Sequence, residues 1–298
     1  GRARGRGAGQ HRRQNQAPQL RWRQVQRHAP TIHPFTVATG LSPEANDSLP
    51  DDKTPSDFFS LYITDDIIDN MVVETNRYAE QLIAEKTANG TLKGKSRLHK
   101  WSPTSRNEMK SYIGVLILTG LLKKGSWAEY WSTTDLLYTP AFKHIMPRDR
   151  FMLLKRCWHL NDNQAPGYDP QAVDRDRLHK LRPFVDALNA RCREVYIPTM
   201  WISVDESLIL FRGRLLFGQT IRTKRARVGV KMYPVCTSDG ITLGFRIYTA
   251  DGIPFEDDAA GIAFTATEQI VLCLVEPYLD KGYHVYTDNF YTSPQLAK

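Results

Sequence analysis

Residues 201–214 read WISVDESLILFRGR, and residues 284–290 read HVYTDNF. Both stretches are rich in the β-branched and aromatic residues that favour strands, and each contains an aspartate, Asp205 in the first and Asp288 in the second. A carboxylate that points into the buried face of a sheet costs free energy unless it is hydrogen-bonded or binds a metal ion. The two aspartates are therefore the first candidates for functional residues.

The surrounding sequence predicts a sheet that contains both stretches. Alternating apolar residues predict three antiparallel strands, over 200–211, 228–237 and 243–250. The turn Ser238-Asp239-Gly240 separates the last two strands, a helix is predicted over 267–279, and a fourth strand over 283–287. Three antiparallel strands, a crossover helix and a fourth strand form the opening of a ribonuclease-H-like fold, in which the fourth strand lies beside the first.

The preceding residues predict helices. Apolar residues between Ile67 and Ile83 follow a period of 3.6, with Thr64 as the predicted N-cap and Asn89-Gly90 as the end. A second helix is predicted from Ser105, with Glu108 completing a capping box. Further helices are expected over 147–160 and 177–196, and helical spacing favours core packing for Trp127, Tyr130, Trp131 and Trp158. The predicted fold class is α+β, with a helical domain over 51–198 before a partial ribonuclease-H-like domain over 199–298.

Charge is distributed unevenly along the 298 residues. The net charge is +8, and eight arginines precede the first acidic residue, Glu44, so the remaining chain is close to neutral. Residues 1–50 are rich in Arg, Gln and Gly and poor in aliphatic residues, which predicts a disordered tail. The four cysteines lie too far apart for a zinc motif and indicate buried thiols in a reducing compartment, nuclear or cytoplasmic. No apolar run is long enough to predict a membrane span.

Asp205 and Asp288 lie at matching points of the predicted topology. Phosphodiester chemistry with two divalent cations about 3.5–4 Å apart needs carboxylates that converge from separate strands. Glu206 follows Asp205 directly, and strand alternation predicts that it points to the opposite face, which makes it a lesser candidate. The alternative is that Asp205 faces solvent and that Asp288-Asn289 is only an Asx turn.

Basic residues cluster after the first predicted strand. Such residues suit contacts with DNA phosphates, although a solvated loop is the alternative for single members. The predicted DNA-binding residues are Arg212, Arg214, Arg222, Lys224, Arg225, Arg227 and Lys231.

Several long blocks resemble the piggyBac-type DDE transposases and their transposase-derived relatives. They are WISVDESLILFRGR (201–214), LVEPYLDKGYHVYTDNFYTSPQLAK (274–298) and, upstream, YIGVLILTGLLKKGSWAEYWSTTD (112–135). The resemblance covers about residues 50–298 and implies DNA cutting and rejoining with two Mg²⁺ ions, usually at TTAA targets. It assigns Asp205 and Asp288 as the first two catalytic, metal-binding aspartates.

The resemblance carries further expectations. It implies that the helical domain over 51–198 dimerises and binds DNA, that the protein acts as a homodimer on double-stranded DNA, and that it works in the nucleus. The third catalytic aspartate and a zinc-binding end are expected beyond Lys298, so the catalytic core is expected to be truncated. Two functions stay open: an active cut-and-paste transposase, or a domesticated DNA-binding protein that no longer cleaves.

Overall fold

The computed structural model describes residues 31–221, 227–250 and 264–297, and helices dominate the first of these ranges. The α-helices are α1 Pro43–Asp47, α2 Pro55–Tyr62, α3 Asp65–Ala88, α4 Arg106–Leu121, α5 Pro140–Ile145, α6 Arg148–Cys157, α7 Arg182–Val195 and α8 Ala266–Val275. Short 3₁₀ segments occupy Arg97–Lys100, Trp127–Trp131 and Glu276–Tyr278. Within the described ranges, none of the helices combines the length and the apolar character needed to cross a bilayer.

The ends of α3 and α4 test the predicted caps. The helix α3 ends at Asn89 and Gly90 as predicted, and Gly90 has a φ of +62°, which favours glycine. Thr64 is the N-cap residue of α3 as predicted, but its hydroxyl makes no capping hydrogen bond. At α4, the Ser105 hydroxyl accepts from the Glu108 N–H at 3.4 Å. The Glu108 carboxylate binds Arg150 and Thr104 instead of the Ser105 backbone, so only half of the predicted capping box forms.

An aromatic core holds the helices α3 to α6 together. Tyr112, Phe142 and Phe151 are fully buried in this core, together with the thioether of Met109. Tyr130 is buried too, and Trp131 and Trp158 pack against the same core, as their helical spacing predicted. For Trp127 the prediction is wrong: its ring contacts Phe151 at a centroid distance of 5.6 Å, but the side chain is exposed. Burial of such large side chains contributes about 2–3 kcal/mol each before the entropy of ordering is subtracted.

The second half of the chain forms the predicted sheet. Its strands are β3 Trp201–Val204, β4 Ser207–Leu210, β5 Gln219–Thr220, β6 Val228–Thr237, β7 Thr242–Ile247 and β8 His284–Thr287. The strand β6 pairs antiparallel with β3, β4, β5 and β7, whereas β8 pairs parallel with β3. The antiparallel meander and the fourth strand beside the first are therefore confirmed. Two further short strands, β1 Gly40–Leu41 and β2 Tyr196–Ile197, form a separate antiparallel pair.

The first predicted strand, 200–211, is interrupted in the middle. Its two halves, β3 and β4, keep one register against β6, because Val204 pairs with Val235 and Ser207 with Met232. Asp205 faces Pro234, which has no N–H to donate to the ladder, and the remaining contact is a long bond of 3.4 Å from the Asp205 N–H to the Pro234 carbonyl. The prediction of one continuous strand is therefore wrong at Asp205 and Glu206.

Helices cover the sheet and fix its position. The helix α8 connects β7 to β8 and packs Ile270 and Leu274 against Ile202 and Val235 in one apolar core. The predicted helix over 267–279 is thus confirmed, with a 3₁₀ turn as its last part. On the opposite side, the Asn189 side chain of α7 accepts a hydrogen bond of 2.7 Å from the Phe245 N–H of β7.

The predicted tail ends earlier than residue 50. The strand β1 and the helix α1 lie within 40–47, and Ala45 is buried, so the prediction of disorder is wrong for these residues. Residues 1–30 of the tail lie outside the described residues. The described residues from Pro34 onward belong to one compact unit, and the predicted division into 51–198 and 199–298 stays a prediction.

Candidate metal site

Asp205 and Asp288 come together because their strands are neighbours. Val204, the last residue of β3, pairs with Thr287, the last residue of β8, and the two strands are parallel. An aspartate directly follows the last residue of each strand, so both carboxylates lie at the same end of the sheet. Ligand oxygens of Asp205, Glu206 and Asp288 all lie within 4.8 Å of one another. We call these three residues the carboxylate cluster.

Glu206 belongs to this cluster, contrary to the prediction that it points away from Asp205. That prediction rested on the alternation of side chains in a regular strand. The strand is interrupted at this point, and the Glu206 N–H donates to the Asp205 carboxylate at 2.7 Å. The irregular backbone lets neighbouring side chains turn toward the same space.

Asp288 both forms an Asx turn and belongs to the carboxylate cluster, the two alternatives that the sequence left open. Its carboxylate accepts from the Phe290 N–H at 2.9 Å, which is an Asx turn, and its carbonyl accepts from the Thr292 hydroxyl at 2.8 Å. The turn fixes the Asp288 side chain while leaving it exposed and in the cluster. The Asx turn therefore positions the carboxylate and does not exclude a functional role.

Sequence reasoning missed a tyrosine that contacts the cluster. Tyr291 is 1% exposed, and its hydroxyl donates a hydrogen bond of 3.3 Å to the Glu206 carboxylate. Burial, and then the negative charge of Glu206, raise the pKa of Tyr291, so it is a neutral donor at any physiological pH. Burial, with smaller effects of Tyr248 and Glu206, also raises the pKa of Tyr233 to about 12. In the sequence, the only indication of a role for Tyr291 is its position three residues after Asp288, in the motif DNFY.

The donor atoms of the carboxylate cluster suit a hard divalent cation. Three carboxylates this close repel one another, and a bound cation removes that repulsion. Carboxylate oxygens are preferred ligands of Mg²⁺, whereas none of the three residues offers the sulfur or nitrogen that Zn²⁺ prefers. The cluster therefore fits the divalent cation that two-metal phosphoryl transfer requires.

Comparison with known proteins assigns the chain to a family. A DDE transposase family model, described as Transposase IS4, matches residues 54–298. The chain belongs to the piggyBac-type transposase family. It is 26% identical over 266 residues to human PiggyBac transposable element-derived protein 3. The aligned region covers 89% of this chain and 41% of that protein. With human PiggyBac transposable element-derived protein 2 the identity is 25% over 272 residues, covering 88% of this chain and 40% of the relative.

A solved piggyBac transposase has a similar fold. The chain matches it with a TM-score of 0.69 and 24% identity over 88% of this chain and 50% of that chain. That structure is a synaptic complex with hairpin DNA, determined by cryo-electron microscopy. The present chain spans about two fifths of the length of the curated relatives and half of the solved chain.

The predicted DNA-binding residues of this piggyBac-type chain occupy different places. Arg212 and Arg214 have exposed side chains shortly after β4, and Arg227 has one directly before β6. The Lys231 ammonium lies 4.8 Å from the Tyr233 ring centroid and 5.5 Å from that of Phe290, so it lies beside the turn after Asp288. The other three predicted residues, Arg222, Lys224 and Arg225, lie outside the described residues.

Proposed function

We propose that the protein containing this chain cuts and rejoins double-stranded DNA as a cut-and-paste DDE transposase. The observation that carries the proposal is the convergence of Asp205 and Asp288 at the ends of two adjacent parallel strands. The proposed fold class of this part is ribonuclease-H-like, and the strand order supports that class. Membership of the piggyBac-type family supports the choice of DNA as substrate.

In this proposal Asp205 and Asp288 hold Mg²⁺, and Glu206 lies close enough to join them. Divalent cations held there would supply activation of a hydroxyl nucleophile and stabilisation of the leaving oxygen of the phosphodiester. The chain itself contributes fixed positions for the carboxylates. The register of β3 and β8 aligns them, and the Asx turn holds Asp288.

The proposed partner is double-stranded DNA, bound by a homodimer in the nucleus. The exposed arginines Arg212, Arg214 and Arg227 are proposed to bind phosphates, and Lys231 is proposed to bind DNA next to the carboxylate cluster. Support comes from the solved relative, whose structure is a synaptic complex with hairpin DNA.

The test is Mg²⁺-dependent nicking of duplex DNA by the natural full-length protein. Wild type is expected to nick, whereas Asp205→Asn and Asp288→Asn are expected to lose nicking by at least about a hundredfold while they still bind DNA. Asp239→Asn is the matched control, because Asp239 is an exposed aspartate in the β6–β7 turn. Equal nicking by Asp205→Asn and wild type would rule out the proposed mechanism.

The second candidate is a DNA-binding protein without cleavage activity. Two curated relatives carry the name transposable element-derived protein, which favours keeping this candidate. It predicts that the full-length wild type binds DNA and does not nick it with Mg²⁺ or Mn²⁺. The nicking assay therefore separates the two functions.

A further inference from the structure

Tyr291 connects the two chain segments that carry the carboxylate cluster, one with Asp205 and Glu206 and the other with Asp288. Its backbone N–H donates to the Asp288 carbonyl at 3.3 Å, and its hydroxyl donates to Glu206, next to Asp205, at 3.3 Å. One residue thus joins the turn after β8, through its backbone, to the interruption between β3 and β4, through its side chain. A residue in this position can control how Glu206 is oriented relative to the two aspartates.

The ring of Tyr291 is held firmly. It is 1% exposed and packs edge-on against Tyr233, with centroids 6.4 Å apart, and against Phe290, at 5.2 Å. A buried hydroxyl needs a hydrogen-bond acceptor, and the Glu206 carboxylate supplies one. Because the ring has little room to move, its hydroxyl restricts the positions of the Glu206 carboxylate.

We propose that Tyr291 is a positioning residue that holds the Glu206 carboxylate beside Asp205 and Asp288, so that Glu206 serves as a third carboxylate ligand for a divalent cation. This inference rests on the proposed function, because it assumes that the cluster binds a cation. Partners that orient a metal ligand by a hydrogen bond typically change metal affinity by about 10–100-fold when they are removed. Glu206 and Tyr291 therefore act as one unit.

The experiment is a titration of the purified protein with Mn²⁺, followed by the electron paramagnetic resonance signal of the free ion. Tyr291→Phe keeps the ring and removes only the hydroxyl, and it is expected to weaken Mn²⁺ binding about tenfold. Tyr283→Phe is the matched control, because Tyr283 packs against the same apolar core and its ring contacts Tyr278 and Phe35. Its Mn²⁺ affinity should equal that of wild type.

A double-mutant cycle separates positioning from a general structural effect. If Tyr291 acts through Glu206, then Tyr291→Phe changes Mn²⁺ affinity in wild type and has no further effect in a Glu206→Gln background. Equal effects of Tyr291→Phe in both backgrounds, or wild-type affinity in Tyr291→Phe alone, would overturn the inference. Far-ultraviolet circular dichroism and the thermal midpoint check that each variant is folded.

The aspartate variants keep the two proposals distinguishable. Loss of Mn²⁺ binding in Asp205→Asn and Asp288→Asn, together with wild-type binding in Tyr291→Phe, contradicts only the role of Tyr291. Unchanged Mn²⁺ binding in both aspartate variants contradicts the proposed function itself.

Discussion

At the scale of single residues, Glu108 and Arg150 form a partly buried ion pair between two helices. The Arg150 guanidinium donates to both Glu108 oxygens, at 2.7 and 2.6 Å, and the Thr104 hydroxyl donates to one of them at 2.7 Å. The Arg150 side chain is 15% exposed and that of Glu108 is 28% exposed, so solvent screens the pair only partly. The pair links the start of α4 to α6.

Glu108→Gln is expected to lower the free energy of unfolding by about 3 kcal/mol at pH 7, because Arg150 loses its charged partner. The Arg150 guanidinium lowers the pKa of Glu108 below its ordinary value of 4.5. A lowered folded-state pKa means that the contribution is complete above about pH 4.5 and is lost as the pH falls through the folded pKa. Urea unfolding at pH 7 and at pH 3.5 measures both effects.

The control for this prediction is Asp149→Asn. Asp149 lies 3.3 Å from Arg97 and from Arg148, and all three side chains are about half exposed. Its replacement should cost less than about 1 kcal/mol. An equal loss in Glu108→Gln at both pH values would contradict the account of the ion pair.

Among the strands, β4 depends on a glycine in β6. A Cβ on Gly229 would lie 1.9 Å from the Ile209 carbonyl oxygen, so any side chain there collides with the backbone of the neighbouring strand. Leu210 pairs with Gly229, and β4 begins directly after the interruption that contains Asp205 and Glu206. The glycine is therefore required for the pairing of β4 with β6.

Gly229→Ala is expected to lower the free energy of unfolding by about 3 kcal/mol or more, because the collision involves backbone atoms that cannot move aside. Gly120→Ala is the matched control, since Gly120 lies exposed in α4 with open space around it, and alanine there should stabilise the protein by about 0.5–1 kcal/mol. Thermal unfolding of both variants measures the difference. A stable Gly229→Ala protein in which β4 still pairs with β6 would be inconsistent with this packing.

The elements also show how far the sequence predicts the structure. Strand β6 and the turn at Ser238-Asp239-Gly240 follow from local alternation and turn chemistry, and the structure has both at the predicted positions. The pairing of β1 with β2 joins two-residue strands from distant parts of the chain, and no periodicity can predict it. The interruption at Asp205 depends on Pro234 in another strand, so local alternation predicts the wrong face for Glu206.

At the scale of the whole molecule, the uneven distribution of charge favours DNA binding at a local group of arginines over nonspecific binding by the entire surface. The exposed residues Arg212 and Arg214 follow β4, in a chain whose remainder after Glu44 is close to neutral. Each phosphate contact releases counterions, so affinity for DNA should fall steeply with salt.

Replacing Arg212 and Arg214 together by alanine is expected to make the plot of log affinity against log salt shallower by about 1–2. Lys281→Ala is the control, because Lys281 is exposed in the turn before β8, at the strand end opposite Asp288. Fluorescence anisotropy with a labelled duplex at several salt concentrations gives the slopes. Identical slopes for wild type and the double variant would contradict a role of these arginines in DNA binding.

Thermal unfolding with and without Mg²⁺ tests most directly whether Asp205 and Asp288 form a site for divalent cations. At saturating Mg²⁺, wild type and the control Asp239→Asn should both gain about 2–3 kcal/mol, a rise of several degrees in midpoint. Asp205→Asn and Asp288→Asn should gain almost nothing, yet in EDTA they should be at least as stable as wild type, because one repelling charge is gone. An equal Mg²⁺-induced rise in all four proteins would contradict the proposed cation site.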